Sequence, residues 1–148
     1  MRTKRSLWRA LRIACGVAAM ALIASHSAAA QSSPRVIEIL ADHDSRFKLP
    51  GQATPVLSLT AGESLVLRIT AKKAHTRNRD GSIHGFTLLR VKGHTRVSGW
   101  DFLLKPGVQE FKVTAPDEPG EYEAICTVIC GGNHEGMTMK VVVLPKVD

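Results

Sequence analysis

The chain lacks the usual signatures of catalysis. It has no convincing nucleophile–base pairing, no glycine-rich phosphate loop and no pair of carboxylates set for acid–base work, so this chain alone is not expected to turn over a small-molecule substrate. No basic helix or stacking motif is present, which removes the ordinary grounds for nucleic-acid binding. Helical periodicity, internal repeats and low-complexity tracts are absent as well. The apolar run from Ile13 to Ala24 is only twelve residues, too short to span a bilayer comfortably. Cysteine is sparse, three in 148 residues, and one of them, Cys15, lies inside that run.

The run belongs to an N-terminal segment that reads as a leader. Arg2, Lys4, Arg5, Arg9 and Arg12 precede it and Ser27-Ala-Ala-Ala30 follows. A basic region, a short apolar stretch and an A-x-A site predict a signal peptide over 1–30, cleaved after Ala30. Cys15 leaves with it. An uncleaved membrane anchor is the alternative. The remaining 31–148 is one modest domain with room for a single core. Five of the twenty basic residues lie in the leader, leaving fifteen against thirteen acidic ones, so the formal +7 falls to +2. The expected location is periplasmic or exported, soluble once the leader is removed. In an oxidising compartment a two-cysteine chain usually forms one disulfide, the plainest reading of Cys126 and Cys130.

Beyond the leader the chain reads as strands. Arg35–Leu40 is short and β-branched; Val56–Thr60 and Glu63–Thr70 flank Ala61-Gly62, with Leu65, Leu67 and Ile69 on one face. Phe86–Val91, Val108–Ala115, Gly120–Thr127 and Met137–Leu144 follow, separated by Gly, Pro, Asp or Asn. Short strands with turn signals at this spacing predict an antiparallel β-sandwich. Asp42–Ala53 is the weakest portion, with Phe47 and Leu49 marking a short edge strand. Because side chains two apart share a face, Tyr122, Ala124 and Cys126 point together. So do Met137, Met139, Val141 and Val143, and so do His84, Phe86 and Leu88. Each row carries a metal-ligand donor at one end, so three strand ends are expected to meet at one pole of the sandwich.

The densest chemistry is Cys126-Thr-Val-Ile-Cys130-Gly-Gly-Asn-His134-Glu-Gly-Met137. Two thiols, an imidazole and a thioether are soft or borderline donors, suited to copper rather than magnesium, calcium or manganese. Cys130, His134, Met137 and an upstream histidine make the set of a mononuclear blue-copper site. Cys126 adds a second thiolate, and two thiolates can bridge two ions. Structural zinc takes four strong ligands and has no use for Met137.

This loop resembles the copper-binding loop of cytochrome c oxidase subunit II, which holds the dinuclear copper A (CuA) centre in a cupredoxin-like Greek-key β-sandwich. Glu118-Pro-Gly-Glu-Tyr122 is similar to the family's turn and strand ahead of the first cysteine, and Asp80-Gly-Ser-Ile-His84-Gly-Phe86 to its upstream histidine segment. Met137–Leu144 is similar to its closing strand, and the likeness covers most of 54–145. The resemblance implies that Cys126 and Cys130 bridge two copper ions, that His84 and His134 each bind one, and that Met137 is a weak axial ligand. It implies a carbonyl ligand from Val128, where the family usually has Glu. The function it implies is outer-sphere electron transfer with a redox protein, such as a c-type cytochrome or an oxidase subunit.

The family normally carries a transmembrane hairpin or helix ahead of this domain, where this chain has only the leader-like segment. Both a subunit receiving electrons in a cytochrome c oxidase-type respiratory complex and a free carrier stay open. A mononuclear blue-copper carrier, a copper-delivery protein for an oxidase, and a metal-free disulfide domain are the other readings. Lys72, Lys73, His75, Arg77 and Arg79 run directly into His84. This basic segment is expected at the metal pole, where it would favour an acidic partner. Trp100 is a tempting partner contact, against the plainer reading of a half-buried structural tryptophan. His43, His75 and His94 are expected at the surface, with His75 nearest the metal pole.

Overall fold

The computed structural model describes residues 33–147 apart from 74, 75 and 77. The expected leader over 1–30, Cys15 included, lies outside the described residues, as does His75. Among the described residues there are nine strands, no α-helix and one 3₁₀ turn. The strands are β1 Arg35–Asp42, β2 Arg46–Lys48, β3 Val56–Thr60, β4 Ser64–Ala71, β5 His84–Arg90, β6 Thr95–Leu104, β7 Gly107–Thr114, β8 Gly120–Ile125 and β9 Thr138–Leu144. They form two sheets, in the orders β2-β1-β4-β7 and β3-β9-β8-β5-β6. No helix among the described residues is long and apolar enough to cross a membrane.

Strand alternation builds the core. Leu65, Leu67 and Ile69 of β4 are buried against Tyr122 and Ala124 of β8 and Met139, Val141 and Val143 of β9. Each large aliphatic side chain removed from water in this way contributes roughly 1.5–3 kcal/mol. The alternate residues of β8, Glu121 and Glu123, are not buried. β5 departs from alternation: His84 to Leu88 are all buried, because β5 lies between β6 and β8 with the cysteine loop over its outer face.

The structure corrects the sequence reading in three places. The sandwich is mixed, since β1 pairs with β4 and β3 with β9 in parallel. β3 lies in the other sheet, so the chain crosses over between β1 and β4 and returns in the same direction. Side-chain alternation carries no record of strand direction. Second, β6 went unpredicted. It is an edge strand in which only Trp100 and Leu104 are buried. Gly99 takes φ +77° within it, and its pairing with β5 shifts between Thr87 and Leu89, so no period survives. Third, Trp100 is fully buried and not half-buried. It is 1% exposed and its Nε1–H donates to the Thr114 carbonyl at 2.8 Å, tying β6 to β7 across the two sheets.

Candidate metal centre

The site is assembled by strand pairing. β8 and β9 run antiparallel with Ile125 opposite Thr138, so residues 126–137 are a single connection whose feet, Cys126 and Met137, are neighbours. The Cys126 N–H donates to the Met137 carbonyl at 3.0 Å and closes the loop at its base. On the other side of β8, Thr87 of β5 faces Ile125. Continuing that register brings Gly85 against Thr127 and His84 beside the loop.

The sulfurs and one imidazole converge. Donor atoms of His84, Cys126 and Cys130 all lie within 4.8 Å of one another, and all three residues are buried. The two Sγ atoms are 3.7 Å apart, and Cys130 Sγ is 3.8 Å from Met137 Sδ. A metal–thiolate bond is about 2.3 Å, so one ion can touch both sulfurs without moving either. The Cys126 thiol donates to the Val128 carbonyl at 3.1 Å, which puts that carbonyl beside the sulfur, and the Gly85 N–H donates to Cys126 Sγ at 3.3 Å. His84, Cys126 and Cys130 form a group able to hold a metal ion.

Two histidine nitrogens are unaccounted for by protein contacts. Among the described residues the only buried side-chain nitrogen or oxygen atoms without a hydrogen-bond partner are Nδ1 of His84 and Nδ1 of His134. A buried polar atom left unpaired costs on the order of 1–3 kcal/mol, and a bound metal would remove that cost. In His84 the Nε2–H donates to the Lys72 carbonyl at 3.1 Å, which leaves the lone pair on Nδ1. Burial holds its pKa below the ordinary histidine value, outweighing the Lys72 carbonyl and the Asp42 charge, so the ring is neutral as ligation requires. His134 opens the 3₁₀ turn His134–Gly136 and is half-buried. It stands outside the group within 4.8 Å. Burial, with Cys126 alongside, pushes the Cys130 thiol up to about 11, although the Ser45 hydroxyl opposes this. Metal loading therefore has to displace the proton that burial holds on the Cys130 thiol.

Several supporting residues carried no signal in the sequence. Gly85 sits where any Cβ would lie 2.5 Å from Thr127 Oγ1 and 2.9 Å from the Thr127 backbone nitrogen. Thr87 is buried and bonds both Asp101 and Thr127, fastening the cysteine loop to β5. Ser45 reaches Cys130 from the turn between β1 and β2. Lys72 and Lys73 are exposed. The segment they begin is tied to the site twice, through the Lys72 carbonyl on His84 and through Thr76 Oγ1, which donates to the Ile129 carbonyl at 2.6 Å. Ile129 itself is 64% exposed on this face. His43 and His94 are exposed, as expected of surface residues.

Asp42 is a buried carboxylate that organises the turn beside the site. It accepts from the His43 N–H at 2.8 Å and from Lys48 Nζ at 2.6 Å. The bond from Lys48 holds its pKa well below the carboxylate range, despite the opposing effect of burial. Because the folded value is depressed, its stabilising contribution is complete above the unfolded value of 3.8 and is lost as the pH falls below it. Asp42→Asn is therefore expected to lower stability at neutral pH and to flatten the acid limb below about pH 4, with close to one proton fewer taken up on unfolding. Urea titrations between about pH 2 and pH 7 check this; parallel curves for the two proteins would contradict it.

No family model matches the chain, and no curated protein matches it. Among solved structures, auracyanin A, a blue copper protein from Chloroflexus aurantiacus, is 20% identical with a TM-score of 0.52, covering 76% of this chain and 100% of that one. A copper-containing nitrite reductase from Thermus scotoductus is 19% identical with a TM-score of 0.51, covering 78% of this chain and 24% of that one. Rusticyanin from Thiobacillus ferrooxidans is 17% identical with a TM-score of 0.50, covering 76% of this chain and 79% of that one. What these likenesses show is the fold: the described domain is a cupredoxin-like β-sandwich with a group of buried sulfur and imidazole donors at one pole.

Proposed function

We propose that this chain is a copper-binding electron-transfer protein with a dinuclear CuA-type centre held by His84, Cys126, Cys130, His134, Met137 and the carbonyl of Val128. The observation that carries the reading is the pair of buried sulfurs 3.7 Å apart, with Met137 Sδ and an unpaired His84 Nδ1 beside them. A single thiolate would serve a mononuclear site; the second one argues for two ions. When bound, copper supplies a one-electron couple. The protein's part is to keep the donors fixed and dry. Strands β5, β8 and β9 anchor His84, Cys126 and Met137, and burial of the sulfurs keeps water from them. Anaerobic copper titration of the reduced protein is expected to end at two ions per chain. An endpoint of one favours a mononuclear carrier, and weak binding of Cu(I) that is readily surrendered favours copper delivery.

The same reading places the protein outside the cytoplasm, freed from its leader. Its partner is a redox protein such as a c-type cytochrome or an oxidase subunit. Docking would occur over the exposed Ile129 and the basic segment containing Lys72 and Lys73, which favours an acidic partner. Reversing both charges, Lys72→Glu with Lys73→Glu, is expected to slow second-order electron transfer up to about tenfold at low ionic strength, with the difference fading towards about 1 M salt. Stopped-flow rates that match wild type at low ionic strength would contradict this docking face.

A further inference from the structure

β1 turns into β2 through His43, Asp44 and Ser45, with Asp42 paired to Arg46. A three-residue turn of this kind places its last residue in the left-handed region, where glycine is the ordinary occupant. Here that residue is Ser45, at φ +58°. A side chain in that conformation costs roughly 1–2 kcal/mol. Ser45 is also only 5% exposed, although it lies in a tight turn. Its Oγ is 3.7 Å from Cys130 Sγ, across 85 residues of sequence. The turn is held in this position by the bonds from the His43 N–H and Lys48 Nζ to the buried Asp42 carboxylate. A strained residue, buried, with its one polar atom against a ligand sulfur, is where strain points to function.

We propose that Ser45 is a positioning residue of the metal centre, its hydroxyl donating to the Cys130 thiolate and raising the reduction potential of the bound copper. The inference rests on the copper reading above. A ligating sulfur is deprotonated and has no proton to give, so in the loaded protein the hydroxyl is the donor. Hydrogen bonding around a ligand sulfur is an established means of tuning potential. Charge drawn off the sulfur weakens its support of the oxidised metal more than of the reduced metal. Serine at the turn thus exchanges backbone ease for a donor that glycine cannot supply.

Two variants separate this role from a structural one. Ser45→Gly removes the hydroxyl and relieves the strained backbone; Ser45→Ala removes the hydroxyl and keeps the strain. Both are expected to load the same copper per chain as wild type. In both, the ratio of affinities for oxidised and reduced copper should rise by up to tenfold, a fall in potential of about 59 mV, and the sulfur-to-copper absorption band should move to longer wavelength. Ser45→Gly alone should gain stability in urea. Potential and absorption unchanged in both variants, with only stability altered, would overturn the role of Ser45 while leaving the copper reading intact. A wild-type protein that takes up no copper would overturn both.

Discussion

Cys130→Ser is expected to abolish stable copper binding. Cys130 is the hub of the donor group, 3.7 Å from Cys126 Sγ, 3.8 Å from Met137 Sδ and 3.7 Å from Ser45 Oγ, and fully buried. Serine replaces a soft sulfur with a hard hydroxyl that stays protonated in a buried site, and copper selects strongly for the sulfur. Loss of a residue that merely supports a ligand typically lowers metal affinity about 10–100-fold, so loss of the central ligand should exceed about 100-fold. Cys126→Ser is expected to be milder, because Cys130, His134 and Met137 survive and form with His84 the mononuclear set. Competition against a calibrated chelator measures both. Circular dichroism of the metal-free variants should match wild type, since the substitution is close in size. Unaltered copper affinity in Cys130→Ser would contradict the assignment of the site.

Gly85→Ala is expected to give the largest loss of stability of any small-to-slightly-larger change near the centre. The added Cβ would lie 2.5 Å from Thr127 Oγ1, 2.9 Å from the Thr127 backbone nitrogen and 3.2 Å from Val128 Cγ2. A hydroxyl can rotate away, but the backbone nitrogen belongs to the cysteine loop, so relief requires the loop itself to lift from β5. Overpacking of this kind costs typically about 1–3 kcal/mol, and this case belongs at the upper end because the contact is with main chain. Lifting the loop also opens the 3.3 Å contact between the Gly85 N–H and Cys126 Sγ. Copper affinity should then fall together with the urea midpoint. A variant as stable as wild type would show that the loop is free to move.

Much of this architecture was legible in residue order. Alternation placed Tyr122, Ala124 and Cys126 on one face, and likewise Met137, Met139, Val141 and Val143, and the structure buries both rows. The rows point their donors at one pole because β5, β8 and β9 are sheet neighbours. Alternation is a local property, however, and it is silent on which strand lies beside which and in what direction. The parallel pairs β1–β4 and β3–β9 were therefore out of reach. Edge strand β6 left little apolar record because it buries only Trp100 and Leu104. Ser45 and Gly85 act through contacts that span 85 and 42 residues of sequence. A serine in a turn and a glycine after a histidine look ordinary until the chain is folded. His134 was legible as a donor by residue type, yet its unpaired Nδ1 becomes evident only once its burial is known.

The most direct test of the central claim is electron paramagnetic resonance of the copper-loaded protein, read together with the copper-to-protein ratio. With both thiolates used as ligands, one unpaired electron is shared equally by two copper nuclei, giving a seven-line hyperfine pattern at about two coppers per chain. Four-line splitting from one nucleus, at one copper per chain, would show that Cys126 is not a ligand and would contradict the dinuclear centre.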